Sequence, residues 1–281
     1  MSVNYDNVKH KLVRSAATAV TTKGEKCTSL CEMEIVGDDA YCLMTNSDDD
    51  KNLHEACLCR YPDFLDTTKS RKVFTIADNG EEELFTHANG IAYYRVSGES
   101  KGTFYIATSS KGTDAIIGVD AKGNITKHIT CTEYIHSITS CGNGKFIVGT
   151  SHTSTKTKTR NYAVGHVNSK SVFAFDKSDI TLACVDNYTI GNDIYYDKTA
   201  AVLYIPMFQK NSKGNVTDNI IMACPFDLNN LPDTLTPTRV MRDYESSTGI
   251  AKYEIEGMAI YNNKKYVANN ADADGIYQIY K

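Results

Sequence analysis

The sequence predicts an all-β ring of five repeated four-stranded units, and three observations lead there. A strand–turn–strand block recurs: residues 87–94 (HANGIAYY) with 103–108, 191–196 with 202–206, and 255–261 with 265–269. Weaker copies are 134–139 with 145–149 and 31–36 with 40–44. With Met33, Ile91, Ile138, Ile194 and Met258 as equivalent positions, the steps are 58, 47, 56 and 64 residues, and the path from Met258 through the C-terminus to Met33 is 56. The last copy stops after its third strand, residues 275–280, whereas residues 10–16 form a strand with no repeat of their own. Joining the two chain ends completes the last unit and removes the open sheet edges, which is the logic of a β-propeller.

The elements follow in order. Third strands are read at 55–60, 115–120, 171–176, 219–224 and 275–280, and fourth strands at 72–77, 125–131, 180–185 and 239–244. Alternation and a high content of Tyr, Val, Ile, Phe and Thr support strands throughout. The whole chain, 1–281, reads as one propeller domain. Its blades lie near 31–78, 87–131, 134–186, 189–245 and 253–281, the last completed by 10–16.

Composition narrows the function. A net charge of −4 argues against a nucleic-acid binder, and no apolar run is long enough for a membrane span. The one basic cluster, Lys156, Lys158 and Arg160, reads as a solvated hairpin loop. No signal peptide is visible, and nine cysteines form no C-x-x-C pair. Reduced, packed cysteines point to the cytoplasm, with leaderless release as the other route. The oligomeric state is not readable.

Position in the repeat concentrates polar residues on one face of the ring. The residue before each innermost strand faces the axis, and the antiparallel second strand exits on that same face. The inner set is Asn89, His136, Asn192 and Glu256, with Glu32 as the first-blade member and His87, Asp193 and Glu254 flanking. The outer set is Asn46, Ser109, Ser151, His152, Gln209, Asn269 and Asn270. Polar groups recurring at one structural position imply a wet cavity.

Three readings of that cavity stay open. The groups cap turns and join neighbouring blades. Or Asn89, His136, Asn192, Asp193, Glu256, Gln209 and Asn269 bind a small polar ligand or glycan, with Tyr93, Tyr195 and Tyr261 nearby. Or Glu32, Asn89, Asn192 and Glu256 hold a divalent cation such as calcium, with His136 or His87 as general base. A second calcium candidate is Asn270, Asp272 and Asp274, followed by Gly275, although Lys281 stands where an EF-hand needs Glu. No Gly-x-Ser-x-Gly, phosphate loop or His-Glu-x-x-His is present. A five-bladed glycosidase needs carboxylates on the innermost strands of separate blades; Glu32 and Glu256 form a pair, without a third.

The 87–93 block with 104–108, and the closing 254–258 (EIEGM) with 276–280 (IYQIY), resemble helveticin J-like bacteriocin proteins and uncharacterised Firmicutes propellers with a His-Ala-Asn motif. That resemblance implies five blades and a bacterial-surface or glycan-binding role, with no assigned catalytic residues. His136-Ser137 departs from it where a Gly-containing turn is expected. The Asn-Gly-Ile-Ala and Glu-Gly segments are more loosely similar to gluconolactonase and regucalcin-like propellers, which imply an axial metal but usually six blades. The expected function is therefore a non-catalytic propeller binding a small polar or carbohydrate ligand over its axis. The alternatives are a metal-dependent, lactonase-like hydrolase and a protein-interaction scaffold.

Overall fold

The computed structural model describes residues 5–46, 53–150, 159–183, 188, 191, 193–213, 216–243, 253–270 and 274–281. Its strands hydrogen-bond in chain order into five meanders. Each meander runs outward from an innermost strand: Ser29–Val36, Gly90–Tyr94, Ser137–Gly142, Tyr195–Asp197 and Glu254–Tyr261. Each innermost strand touches those of the two neighbouring blades, so the five close into a ring. No helix among the described residues is long and apolar enough to cross a membrane.

Both faces of every blade are buried, which explains strands that read as near-continuous apolar runs. Five apolar clusters fill the five seams between blades. Alternate residues serve opposite seams. In blade one, Tyr41 and Leu43 pack toward blade two, while Ala40, Cys42 and Met44 pack toward blade five. In blade four, Ile220, Met222 and Cys224 face blade three, while Ile221 and Ala223 face blade five. The eight described cysteines are buried and free of disulfides, packed as small apolar side chains.

The N-terminal strand closes the ring and does a second job. It spans Tyr5–Ser15. From Lys9 to Ser15 it pairs antiparallel with Gly275–Tyr280 and completes blade five. From Tyr5 to Val8 it pairs parallel with Arg239–Asp243, the outer strand of blade four. One strand therefore fuses two blades into an eight-stranded sheet.

Blade three corrects the sequence reading. Its third strand is Thr159–Val167, which begins inside the polar run taken as a loop. Of the segments 171–176 and 180–185, read as third and fourth strands, residues 173–176 and 180–183 lie instead in one fourth strand, Phe173–Ala183, and 184–185 lie outside the described residues. The ladder between them slips twice, at Tyr162/Val164 and Val164/Gly165, and these bulges break the alternation that pattern reading relies on.

Candidate functional site

The inner polar residues form a belt of hydrogen bonds from blade to blade. Glu34 of blade one accepts the Tyr93 backbone N–H of blade two at 3.2 Å. Asn89 of blade two meets the His136 ring of blade three, Nδ2 to Nδ1, at 3.3 Å. The Thr139 hydroxyl of blade three accepts the Tyr196 N–H of blade four at 3.1 Å. Asp193 of blade four accepts the Met258 N–H of blade five at 3.2 Å. The partners stand 59, 47, 57 and 65 residues apart, close to one repeat each. Successive blades are therefore tied through nearly equivalent positions. The Glu32 carboxyl closes the belt against Gly257 of blade five, whose Cβ position it occupies.

The belt concentrates charge. Glu32 is fully buried, its Oε1 accepts its neighbour Met33 N–H at 2.7 Å, and its Oε2 meets no donor in the described structure. Asp193 lies against it. Burial, and then the Asp193 carboxylate, push the Glu32 carboxyl well above its ordinary range, and burial raises Asp193 too. A proton held between the two carboxyls removes one buried charge. The Glu256 charge adds to the elevation of Glu32. Asp193 precedes the inner strand Tyr195–Asp197, so no third acidic group joins Glu32 and Glu256 on the innermost strands at the expected position. The Glu32–Asp193 contact is also shorter than the separation of roughly 5 Å or more between the two carboxyl groups of a glycosidase.

The predicted ligand set is partly assembled. Asn89, Ser109 and His136 come together, with Ser109 Oγ 3.1 Å from His136 Nδ1. Asn269 is fully buried, and neither of its amide atoms has a hydrogen-bond partner. It is the one fully buried amide of the set whose polar atoms stay unengaged among the described residues. Asn270 of blade five bonds Ser29 of blade one at 3.0 Å. Gln209 lies near the end of the second strand of blade four, beside Asp218 on the third. The His87 ring lies 5.6 Å from the His54 ring, tilted by 50°, and burial lowers its pKa. Asn192, Ser151, His152 and Asp272 lie outside the described residues. Among the described residues, no three His, Cys, Asp or Glu side chains group as metal ligands.

A cavity of about 850 Å³ opens on the opposite face of the ring, among the turns that join first and second strands. Blade one contributes Glu34 and Gly37, and blade two Tyr93. Blade three adds Thr139 and Ser140, blade four the stretch 195–200, and blade five Asn262 and Asn263. Tyr93 and Tyr195 were expected near a ligand. Tyr261 was too, but its hydroxyl instead donates to Asp38 at 2.5 Å. Glu34 was missed. The signal was present: it stands two residues from Glu32 on an alternating strand, so the same strand edge presents both. Both Glu34 oxygens accept backbone N–H groups, from Tyr93 and from Ile35 at 3.0 Å. Burial still outweighs them and pushes its carboxyl up to about 7.

No family model matches the chain, and no curated protein matches it in sequence. Solved structures do match it in shape. An α-L-arabinofuranosidase from Podospora anserina, solved with cellotriose, aligns over 98% of this chain and 96% of its own at TM-score 0.55 and 5% identity. The catalytic domain of an α-L-arabinofuranosidase from Coprinopsis cinerea aligns over 93% and 83% at TM-score 0.52 and 7% identity. An exo-β-1,3-galactanase from Phanerochaete chrysosporium, solved with β-1,3-galactotriose, aligns over 96% of this chain at TM-score 0.52 and 5% identity. The chain spans only 64% of that galactanase. Neither the helveticin J-like nor the gluconolactonase likeness is represented among these neighbours. The gluconolactonase likeness fails on blade number: the ring has five inner strands where those propellers usually have six. What these likenesses establish, together with the closed ring of inner strands, is the β-propeller fold.

Proposed function

We propose that this protein is a non-catalytic propeller that binds a carbohydrate on its axis. The observation that carries the reading is the cavity of about 850 Å³, within the roughly 300–1,000 Å³ usual for ligand sites. All five blades contribute to it. Its lining mixes tyrosines with hydroxyls, amides and a carboxylate, the surfaces that sugar rings and hydroxyls use. The matched arabinofuranosidase and galactanase, solved with cellotriose and galactotriose, support a glycan as the ligand class. Helveticin-like surface activity would be one use of such a site. The Glu32–Asp193 pair is bound up in holding blades together, which leaves it a structural rather than a hydrolytic role.

Ala200 is exposed at the cavity rim. Glycan-array screening of the wild type and Ala200→Trp tests the reading. Wild type should bind at least one oligosaccharide class, and the bulky indole should abolish that binding with an unchanged melting temperature. Failure of the wild type to bind any glycan overturns it.

A further inference from the structure

We infer that the axial cavity selects a carbohydrate carrying a free, protonated amino group, with Glu34 as the counter-charge. The inference rests on the carbohydrate reading above and names the substrate class of that same site.

Glu34 is a carboxylate in search of a cation. Among the described residues, no lysine, arginine or histidine pairs with it at ion-pair distance. Elsewhere the molecule pairs carboxylates readily: Asp39 with Arg60 at 2.6 Å, Glu254 with Lys210 at 2.8 Å and Asp176 with Lys145 at 3.0 Å. Its two backbone hydrogen bonds engage one lone pair on each oxygen. Glu34 also lines the cavity, and each oxygen keeps a lone pair for a further donor. An ionised carboxylate there has two backbone N–H groups and the Lys198 charge beyond contact distance as compensation, and a cation in contact would add charge-assisted hydrogen bonds, which are the strong ones.

The surroundings favour a positive guest. The groups that face Glu34 electrostatically are Lys198, Tyr195 and Asp193 from blade four; Tyr93 of blade two is the residue whose backbone it accepts. Asp197 adds a second carboxylate to the lining. Lys198 is the lone cation of the described lining, and it lies in an exposed turn. The lining contributed by blades three and five, Thr139, Ser140, Ile260, Asn262 and Asn263, carries no charge. Tyr93, Tyr195 and Tyr196 line the same cavity, and an ammonium over a tyrosine ring gains cation–π attraction. The amides and hydroxyls remain for the sugar ring.

The experiment compares glucosamine, N-acetylglucosamine and glucose oligomers of equal length by calorimetry on the full chain, with spermidine as a non-sugar amine. The glucosamine oligomer should bind about tenfold more tightly than the other two, the scale of a charge-assisted hydrogen bond. That preference should weaken as pH falls through about 7, where Glu34 takes up its proton. Glu34→Gln should bring the ratio to about one. Because Gln turns an N–H₂ toward one of two backbone donors and can unfold the protein, Lys198→Ala is the second variant. It leaves the belt intact and should raise affinity for the glucosamine oligomer alone. Equal binding of all three oligomers overturns the amine selection and leaves the carbohydrate reading standing. Binding of spermidine but no sugar overturns both while keeping a cation site, and binding of nothing overturns both outright.

Discussion

At the scale of single residues, the belt makes buried acids hold protons. Folded Glu34 keeps its proton up to about 7, whereas the unfolded group releases it near its ordinary 4.5. Between those values the folded state binds more protons, so stability falls as pH rises. Glu32 and Asp193 shift in the same direction and add to the fall. Surface carboxylates such as Asp66, Asp120 and Asp176 shift the other way, and their stabilisation disappears only below the usual carboxylate range. The melting temperature should therefore peak on the mildly acidic side and decline through about 7. Glu34→Gln should flatten part of that decline, and a profile with its maximum in alkaline solution would contradict the arrangement. Asn269 gives a second residue-scale outcome. A buried amide with no partner costs about 1–3 kcal/mol, which an apolar replacement of similar size recovers. Asn269→Leu should raise the melting temperature; a fall, with loss of ligand, would instead mark Asn269 as a binding group.

At the scale of elements, the closing strand has two separable halves. Lys9–Ser15 supplies the fourth strand of blade five, and His10 within it sits between the Tyr253 and Tyr277 rings at 5.0 Å from each. Tyr5–Val8 only adds a fifth strand to blade four, although Val8 is buried in the seam. Deleting residues 1–16 should expose an unpaired edge and cause aggregation or a large loss of stability. Deleting residues 1–7 should leave a monomer with a modestly lower melting temperature, since blade five keeps its outer strand. Size-exclusion chromatography and thermal melts distinguish the two, and equal behaviour would show that closure does not depend on the antiparallel half. This strand was legible because an orphan strand and an incomplete repeat stood at opposite chain ends. Thr159–Val167 was not, because its polar start and two bulges erase the period of two by which a strand is read.

At the scale of the whole molecule, the ring decides what each polar residue does. That Asn89, His136, Asp193 and Glu32 gather on the axis was legible, since each stands at a fixed place in the repeat. Their partners were not: each belt bond joins atoms about one repeat apart, and repeat spacing says which positions are equivalent without saying which touch. The cavity among the turns of the other face is not readable from the sequence for the same reason, because turn residues such as Lys198 and Asn262 read as solvent until the blades converge around them. Convergence requires close approach at the axis, and two glycines permit it. A Cβ on Gly257 would overlap the Glu32 carboxyl and lie 2.8 Å from Met33 N. A Cβ on Gly90 would lie 2.7 Å from Ile138 N and 2.9 Å from Ser137 Cα. Most of these are backbone atoms of a neighbouring blade, which cannot swing aside as a side chain can. Gly257→Ala and Gly90→Ala should each cost about 1–3 kcal/mol by forcing blades apart. Gly257→Ala should also disturb the Glu32–Asp193 pair and alter the pH profile of stability, whereas Gly90→Ala, at the seam between blades two and three, should leave that profile's shape unchanged. Thermal melts across pH on both variants check this. Neutral behaviour of Gly257→Ala would mean that blades one and five do not meet at the axis, and the ring would then be open where the belt requires it closed.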